Sequence, residues 1–254
     1  MNFNYSSRIS EINSLLSEPD TYLPADNSVM LKIKEYYRVP FVYALNSVSG
    51  ASLTAYETKL ALKERIIPKT LDLQEAENAL RLSKAYDYMF KTAQNDAVLE
   101  DDIKQFYRIC CSSSDTDSEN CYRTQNVIIP ETMFEPPDYS KVPELMNEFV
   151  KLMPKMRQAL HFAEYSAWLH LNLLNINPFM TLNNVCAVFL SSINILKLGY
   201  PPVIIPHVLM KDYYDALKSA QADKEPSAFR DFISEMVFET LRDYARTSRS
   251  FIML

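Results

Sequence analysis

Residues 177–188 read NPFMTLNNVCAV, and they join the two most apolar segments of the chain, 158–175 and 183–198. The length and apolar content of these segments predict two central, buried helices, with INPFMTLN at 176–183 as the break between them. Gly199 follows the second segment where a left-handed helix cap is expected, and Pro201-Pro202 stops any continuation. The stretch therefore predicts a helical hairpin at the centre of the fold.

Most of the remaining sequence also has helical spacing. Capping boxes at Thr54-x-x-Glu57 and Asp72-x-x-Glu75 predict two helix starts. Further helices are expected at 28–49, from about 100, from about 142, at 209–220 and at 227–246. The fold class is all-α, a helical bundle, with no repeat and no linker that would separate domains.

One segment has strand character. CYRTQNVIIP at 121–130 follows a polar loop, SSSDTDSEN at 112–120, and is closed by Pro136-Pro137. We expect a short hairpin or edge strand there. Residues 121–137 are called the flap segment below.

Composition excludes several function classes. The 254 residues contain only two glycines, so a phosphate-binding loop or a dinucleotide-binding fingerprint is ruled out. A net charge of −6 argues against nucleic acid as a partner. No apolar run is long enough to predict a membrane span, and the N-terminus lacks the layout of a signal peptide, so we expect a cytoplasmic protein without membrane contact.

Cysteine and histidine spacing does not predict a metal site. The four cysteines include no ligand pattern with a fourth partner, and no two histidines are spaced H-x-x-x-H. We therefore expect no metal, and small buried thiols at Cys110 and Cys111. The remaining cysteines and the histidines are Cys121, Cys186, His161, His170 and His207.

Three stretches together resemble the Fic family, whose motif is H-P-F-x-[DE]-G-N-G-R-x-x-R. Residues 177–188, called the motif segment below, keep its Pro-Phe pair and one Asn. YRTQNVII at 122–129 is similar to the flap that holds a target segment in that family. Residues 45–54 with 57–59 resemble S-N-A-I-E-G-N-x-L-T-x-x-E-T-K, the autoinhibitory helix and its continuation.

The resemblance covers roughly residues 28–245 and implies a Fic-like helical bundle at 28–254 with a small β-hairpin flap. It places the inhibitory helix at about 40–50 and leaves 1–27 as an N-terminal helical extension. Family members transfer AMP or a related group from a nucleotide to a protein hydroxyl.

The resemblance also implies where the chemistry departs from the family. Asn177 aligns with the histidine that acts as general base, and an amide neither accepts a proton at pH 7 nor changes charge. Thr181 aligns with the acidic metal-holding residue and offers at most one neutral ligand. Val185 and Val188 align with the two phosphate-binding arginines.

Other aligned positions change as well. Leu182 and Asn184 bring side chains to the two glycine positions of the anion hole. In the inhibitory helix, Leu45 aligns with the serine and Ser49 with the glutamate, while Gly50 is kept. We expect Leu45 or Val48 to contact Val188, so that an apolar contact replaces a charged switch.

The remaining motif positions have structural interpretations. Pro178 and Phe179 are expected to anchor the loop in the core. Asn183 is expected to cap the following helix through its side chain. His170, seven residues before Asn177, is expected to be a satisfied core histidine rather than a substitute base.

The flap segment has two open interpretations. Thr124, Gln125 and Asn126 read as an ordinary solvated edge, or as an edge to which a partner adds a strand. Arg123 could reach inward from the flap segment toward an anion.

Two functions remain from the sequence. The first is a catalytically inactive Fic-like protein that acts through a protein partner, with a homodimer as an open alternative, and with no cofactor. The second is a divergent enzyme that binds a nucleotide or phosphate ester, which would require ATP and Mg²⁺ and transfer by positioning alone.

Overall fold

The computed structural model describes residues 7–17, 27–64, 72–111 and 121–252, and within them the fold is all-α. The helices are α1 Ile9–Leu16, α2 Asn27–Val48, α3 Ala55–Lys59, α4 Leu73–Ala93, α5 Glu100–Cys110, α6 Val142–Ala159, α7 Phe162–Ile176, α8 Asn183–Leu196, α9 Met210–Ala222 and α10 Ser227–Ile252. One π-helical turn, Leu60–Glu64, continues α3, and two 3₁₀ turns lie at Tyr139–Lys141 and His207–Leu209. The predicted tract at 112–120 lies outside the described residues, as do parts of the predicted extension at 1–27.

Helices α7 and α8 form the centre of the bundle, as the sequence predicts. Every residue of α8 except Asn184 is buried, and α8 packs against α7, α4, α5 and α2. α7 in turn contacts α6 and α10. A helix that is apolar on all faces is stable only when other helices surround it.

Polar side chains between α7 and α8 are satisfied locally. The Asn194 amide donates to the Phe162 carbonyl at 2.8 Å and to the Ser166 hydroxyl at 2.9 Å. The Ser191 hydroxyl donates to the carbonyls of Ser166 and Ala187. These bonds avoid the cost of burying unpaired polar groups and fix how the two helices sit against each other.

The predicted helix caps are present, with one change of partner. Thr54 and Glu57 form the reciprocal capping box at the start of α3. Asp72 caps α4 by accepting from the Gln74 amide at 2.7 Å. The predicted return bond from Glu75 is replaced, because its carboxylate accepts from the Ser52 amide at 3.0 Å.

The chain after α8 also follows the prediction. Gly199 has a φ of +84°, and its amide donates to the Leu196 carbonyl at 2.9 Å. A glycine adopts this left-handed conformation without strain, which ends the helix.

The predicted hairpin or edge strand at 121–130 does not form within the described flap segment. One isolated antiparallel bridge joins Ile129 and Phe134, and no sheet surrounds it. The Arg123 amide donates to the Pro178 carbonyl at 2.8 Å, so its hydrogen bond goes to the motif segment instead of to a strand. Prolines at 130 and 136–137 add no backbone donors for a ladder.

The N-terminal helix α1 packs on α10. Ile12 is fully buried, and the Arg8 guanidinium contacts the Glu235 carboxylate at 2.6 Å. The boundary between an extension at 1–27 and a domain at 28–254 stays a prediction. Of the described helices, none combines the length and the apolar character needed to cross a membrane.

Candidate functional site

The motif segment forms a tight turn from 177 to 182, and α8 begins at Asn183. Both ends of the turn are left-handed: Asn177 has φ +49° and Leu182 has φ +59°. This conformation costs a residue with a β-carbon roughly 1–2 kcal/mol relative to glycine. Leu182 therefore keeps a backbone shape that suits the glycine with which the resemblance aligns it.

Phe179 anchors this turn, as predicted. Its side chain is fully buried and stacks on Tyr107 of α5, with ring centroids 4.1 Å apart and planes 6° apart. Tyr122 of the flap segment lies against the same ring at 5.9 Å. The aromatic contacts hold the turn to α5 and the flap segment.

Asn183 braces the turn and does not cap α8, so the predicted cap is wrong. Its side-chain oxygen accepts from the Phe179 amide at 2.9 Å, and its side-chain nitrogen donates to the Phe179 carbonyl at 2.8 Å. No side chain caps the start of α8 at Leu182. The carboxamide pairs with both backbone groups of one residue, which a cap geometry would not allow.

Arg123 reaches inward from the flap segment, but its guanidinium bonds backbone carbonyls. Nε donates to the Asn177 carbonyl at 2.9 Å, one terminal nitrogen donates to the Gln125 carbonyl at 3.1 Å, and the other contacts the Pro137 carbonyl. The side chain is 2% exposed, and burial lowers its pKa. Arg123 therefore fastens the flap segment to the motif segment.

The flap residues after Arg123 face solvent. Thr124, Gln125 and Asn126 are exposed. The Asn126 carboxamide accepts from the Tyr139 amide at 2.9 Å and donates to Asp138 at 2.9 Å. These bonds hold the base of an exposed loop.

The two valines aligned with arginines are part of the core. Val185 is 0% exposed and Val188 is 3% exposed. Helix α2 packs against α8, and Leu45 and Val48 belong to the same apolar cluster as the valines. The particular contact between Val188 and Leu45 or Val48 stays a prediction.

The end of the predicted inhibitory helix is tied to α8 through a tyrosine. The Asn184 amide donates to the Tyr214 hydroxyl at 3.2 Å, and that hydroxyl lies 3.4 Å from the Val48 carbonyl. Ser49 caps its own helix by donating to the Asn46 carbonyl at 2.8 Å, and Gly50 ends it with φ +83°. Ser49 aligns with the family's glutamate and Asn184 with a glycine of its anion hole. In this chain both side chains make local structural hydrogen bonds instead.

His170 lies in the core, as predicted. Its Nδ1 lies 3.2 Å from the Ser191 hydroxyl and its Nε2 lies 3.0 Å from the Tyr213 hydroxyl. The ring is 0% exposed, and burial lowers its pKa to about 3. It is neutral at physiological pH and has no access to the motif segment's surface.

A cavity of about 340 Å³ opens beside the motif segment. It is lined by Ser49, Gln74, Asn78, Arg81, Leu82, Cys110, Cys111, Thr181 and Leu182. All four cysteines of the chain are free and buried, and the described residues contain no cluster able to hold a metal ion.

Arg81 is the cation of this cavity, and no motif in the sequence indicates it. Its guanidinium contacts the Asn78 carboxamide and lies 3.7 Å from Glu77, while its buried Nε has no hydrogen-bond partner. Glu77 and Arg81 are four residues apart on α4, which in sequence reads as an ordinary solvent-facing pair. No local signal shows that the end of Arg81 faces a cavity beside residues 181–182.

Comparison with solved structures defines the fold class. A Fic domain containing signaling protein from Bacteroides thetaiotaomicron is similar with a TM-score of 0.81 at 19% identity, covering 94% of this chain and 97% of that one. Fic-1 from C. elegans, residues 134–508, is similar with a TM-score of 0.80 at 20% identity, covering 95% and 72%. The helical bundle with its turn between α7 and α8 is a Fic-type fold.

The curated relatives are Fic proteins as well. The chain is 27% identical over 236 residues to a protein adenylyltransferase Fic of Nematostella vectensis, covering 91% of this chain and 53% of the relative. It is 28% identical over 226 residues to the protein of the same name from Aedes aegypti, covering 87% and 44%. No protein-family model matches the sequence. In sequence and in fold the chain is similar to Fic proteins, and it spans about half the length of these curated relatives.

Proposed function

We propose that this Fic-family chain does not transfer AMP by base-assisted catalysis and acts by binding a protein partner. The observation that carries the proposal is Asn177 at the position of the family's base. Its carboxamide cannot take a proton at neutral pH, and its backbone carbonyl accepts from Arg123. The histidine nearest in sequence, His170, is enclosed between Ser191 and Tyr213.

The phosphate side of the motif segment supports the same proposal. Val185 and Val188 are buried apolar residues, so neither position supplies the bidentate charged contact of an arginine. Mg²⁺ prefers carboxylate oxygen ligands. Thr181 offers one hydroxyl, and the Asn183 carboxamide is bonded to Phe179. These residues do not fit Mg²⁺.

The flap segment is the proposed contact surface. It exposes two large apolar side chains: Ile128, 54% exposed, just before the turn that joins Ile129 to Phe134, and Met133, 71% exposed, within that turn. Apolar side chains presented next to polar, exposed residues such as Gln125 are typical of protein interfaces. The free thiols support a reducing, cytoplasmic setting for this contact.

Site-specific photo-crosslinking tests the contact surface. A photoreactive amino acid at Gln125 should trap a defined protein in cells of the source organism, or a second copy of the chain if the contact is a homodimer. The same amino acid at Lys218, an exposed position on α9, is the matched control. Equal products from both positions, or none from Gln125, would contradict a flap-centred interface.

A second candidate, binding of a nucleotide or phosphate ester, is favoured by Arg81. This cation lines the 340 Å³ cavity beside Thr181 and Leu182, where a guanidinium can give an anion charge-assisted hydrogen bonds. In this candidate the chain retains the anion-binding part of Fic-type function with a different cation.

Thermal unfolding with ATP, with and without Mg²⁺, tests this second candidate. Ligand at 100 times its dissociation constant stabilises a protein by about 2.7 kcal/mol. Arg81→Gln should abolish the stabilisation, whereas Arg230→Gln, at an exposed position of α10, should retain it. A wild-type chain that ATP does not stabilise would exclude the candidate.

A further inference from the structure

A second cavity, of about 460 Å³, lies away from the motif segment. It opens between the connection from α4 to α5, helices α6 and α7, and the C-terminal half of α8. Its contacts run from Leu190 on α8 to Lys197, which directly follows that helix. Because a helix rises about 1.5 Å per residue, they lie roughly 10 to 20 Å along the axis from Asn183. It is therefore separate from the site described above.

The interior of this cavity is apolar. Met153 of α6, Leu169 of α7, and Leu190 and Ile193 of α8 line it and are each at most 6% exposed. Its volume falls within the range of roughly 300–1,000 Å³ that small-molecule sites occupy. An aliphatic or aromatic group would lose contact with water there and gain contact with these side chains.

The mouth of the cavity carries two cations. Arg157 on α6 and Lys197, which directly follows α8, both line it. Burial lowers the pKa of Lys197 and the nearby Arg157 cation lowers it further, while the Asp96 and Asp102 carboxylates oppose this shift. The Lys197 ammonium contacts the Asn95 carbonyl. Among the described residues, neither cation forms an ion pair, and Asp96 is the lining carboxylate.

The polar atoms deeper in the cavity are few. Asn194 donates its amide to Phe162 and Ser166. Burial raises the pKa of Tyr165 to about 12, so its phenol stays protonated as a hydrogen-bond donor. An apolar chamber with a donor inside and two cations against one carboxylate at its mouth matches a ligand with an apolar body and one anionic end.

We infer that this cavity binds an anionic amphiphile, a carboxylate carrying a medium-length apolar tail. The tail lies against Leu169, Leu190 and Ile193, and the carboxylate lies between Arg157 and Lys197. Arg157 and Lys197 supply the positive charge for this anion, although the Asp96 and Asp102 carboxylates lie near Lys197 and the whole chain carries a net charge of −6.

The fluorescence of a tryptophan near the cavity can report ligand binding. Trp168 is the chain's single tryptophan, and its ring stacks on Tyr165 with centroids 6.0 Å apart. Bromine on a bound tail quenches the fluorescence of a nearby indole. Quenching of Trp168 by ω-bromodecanoate therefore reports occupancy of this cavity rather than of the motif segment.

The experiment measures decanoate and decanol binding to the full chain by titration calorimetry, with ω-bromodecanoate quenching to locate the site. Decanoate should bind with one-to-one stoichiometry. Arg157→Gln and Lys197→Gln should each weaken it about tenfold, since each removes one charge-assisted contact. Lys155→Gln, an exposed position on α6, is the matched charge control and should leave affinity unchanged.

Arg157 is exposed, so its substitution should not affect folding, and thermal melting of each variant checks this. Saturable quenching, charge-dependent affinity and weaker decanol binding together support the inference. Equal affinity for decanol and decanoate with unaffected Arg157→Gln and Lys197→Gln variants would overturn the anionic specificity. Absence of saturable decanoate binding would overturn the site itself.

Discussion

Replacing Arg123 should detach the flap segment from the motif segment. Arg123→Leu removes the donors to the carbonyls of Asn177, Gln125 and Pro137. An unsatisfied buried carbonyl costs roughly 1–3 kcal/mol. The bond to Asn177 is fully buried and the other two are partly buried, so water can replace part of the loss. The variant also no longer buries a desolvated cation, which offsets a further part of the cost. The net loss in the free energy of unfolding is about 3 kcal/mol.

Urea unfolding followed by circular dichroism measures this loss, and amide hydrogen exchange locates it. The Arg123 amide, which donates to the Pro178 carbonyl, should exchange faster in the variant. Arg123→Lys should recover only part of the stability. A lysine keeps the positive charge, but its ammonium cannot reach three carbonyls as the guanidinium does. Arg230→Gln is the exposed control. A loss below about 1 kcal/mol with unchanged exchange at Arg123 would show that the guanidinium does not hold the flap segment to the motif segment.

Three further predictions concern the core around the motif segment. Burial lowers the pKa of His170 from 6.5 to about 3, so its contribution to stability is present above pH 6.5 and is lost as the pH falls toward 3. This group should lower the free energy of unfolding, measured in urea, by about 2 kcal/mol between pH 7 and pH 5. An equal dependence of that free energy on pH in His170→Asn would contradict this. Leu182→Gly should be more stable to urea than Leu182→Ala by about 1 kcal/mol, because position 182 is left-handed; the reverse order would contradict it. Val188→Arg should lower the free energy of unfolding in urea by more than about 3 kcal/mol. Val188→Ile should lower it by less than about 1.5 kcal/mol. An arginine variant as stable as the wild type would show that position 188 reaches a polar site.

Local signals predicted the helices well. The Thr54 cap, the left-handed Gly199 and the apolar segments flanking Asn177 depend on residues within a few positions, and the fold retains all of them. The similarity to Fic proteins also followed from the order of short motifs along the chain, of which Phe179 and Asn183 are part. Those features need no knowledge of distant contacts.

Long-range partners could not be predicted in the same way. Residues 121–130 read as a strand, but the Arg123 amide bonds the Pro178 carbonyl, which lies far along the chain. Asn183 has the residue type of a cap, and only the shape of the turn directs its carboxamide to Phe179. The cavity beside Arg81 brings together α2, α4, α5 and the motif segment, so no spacing in the sequence indicates it.

Whether the wild-type chain transfers AMP decides between an inactive chain and a divergent enzyme. The chain is incubated with ATP labelled on the α-phosphate, Mg²⁺ and cell extract, beside a Fic protein adenylyltransferase as positive control. With Asn177 in place of a base and Val185 and Val188 buried, we predict no labelled protein above the buffer control, and none for Asn177→His, which restores the base without the phosphate ligands. Wild-type labelling at a rate comparable to the positive control would contradict the account.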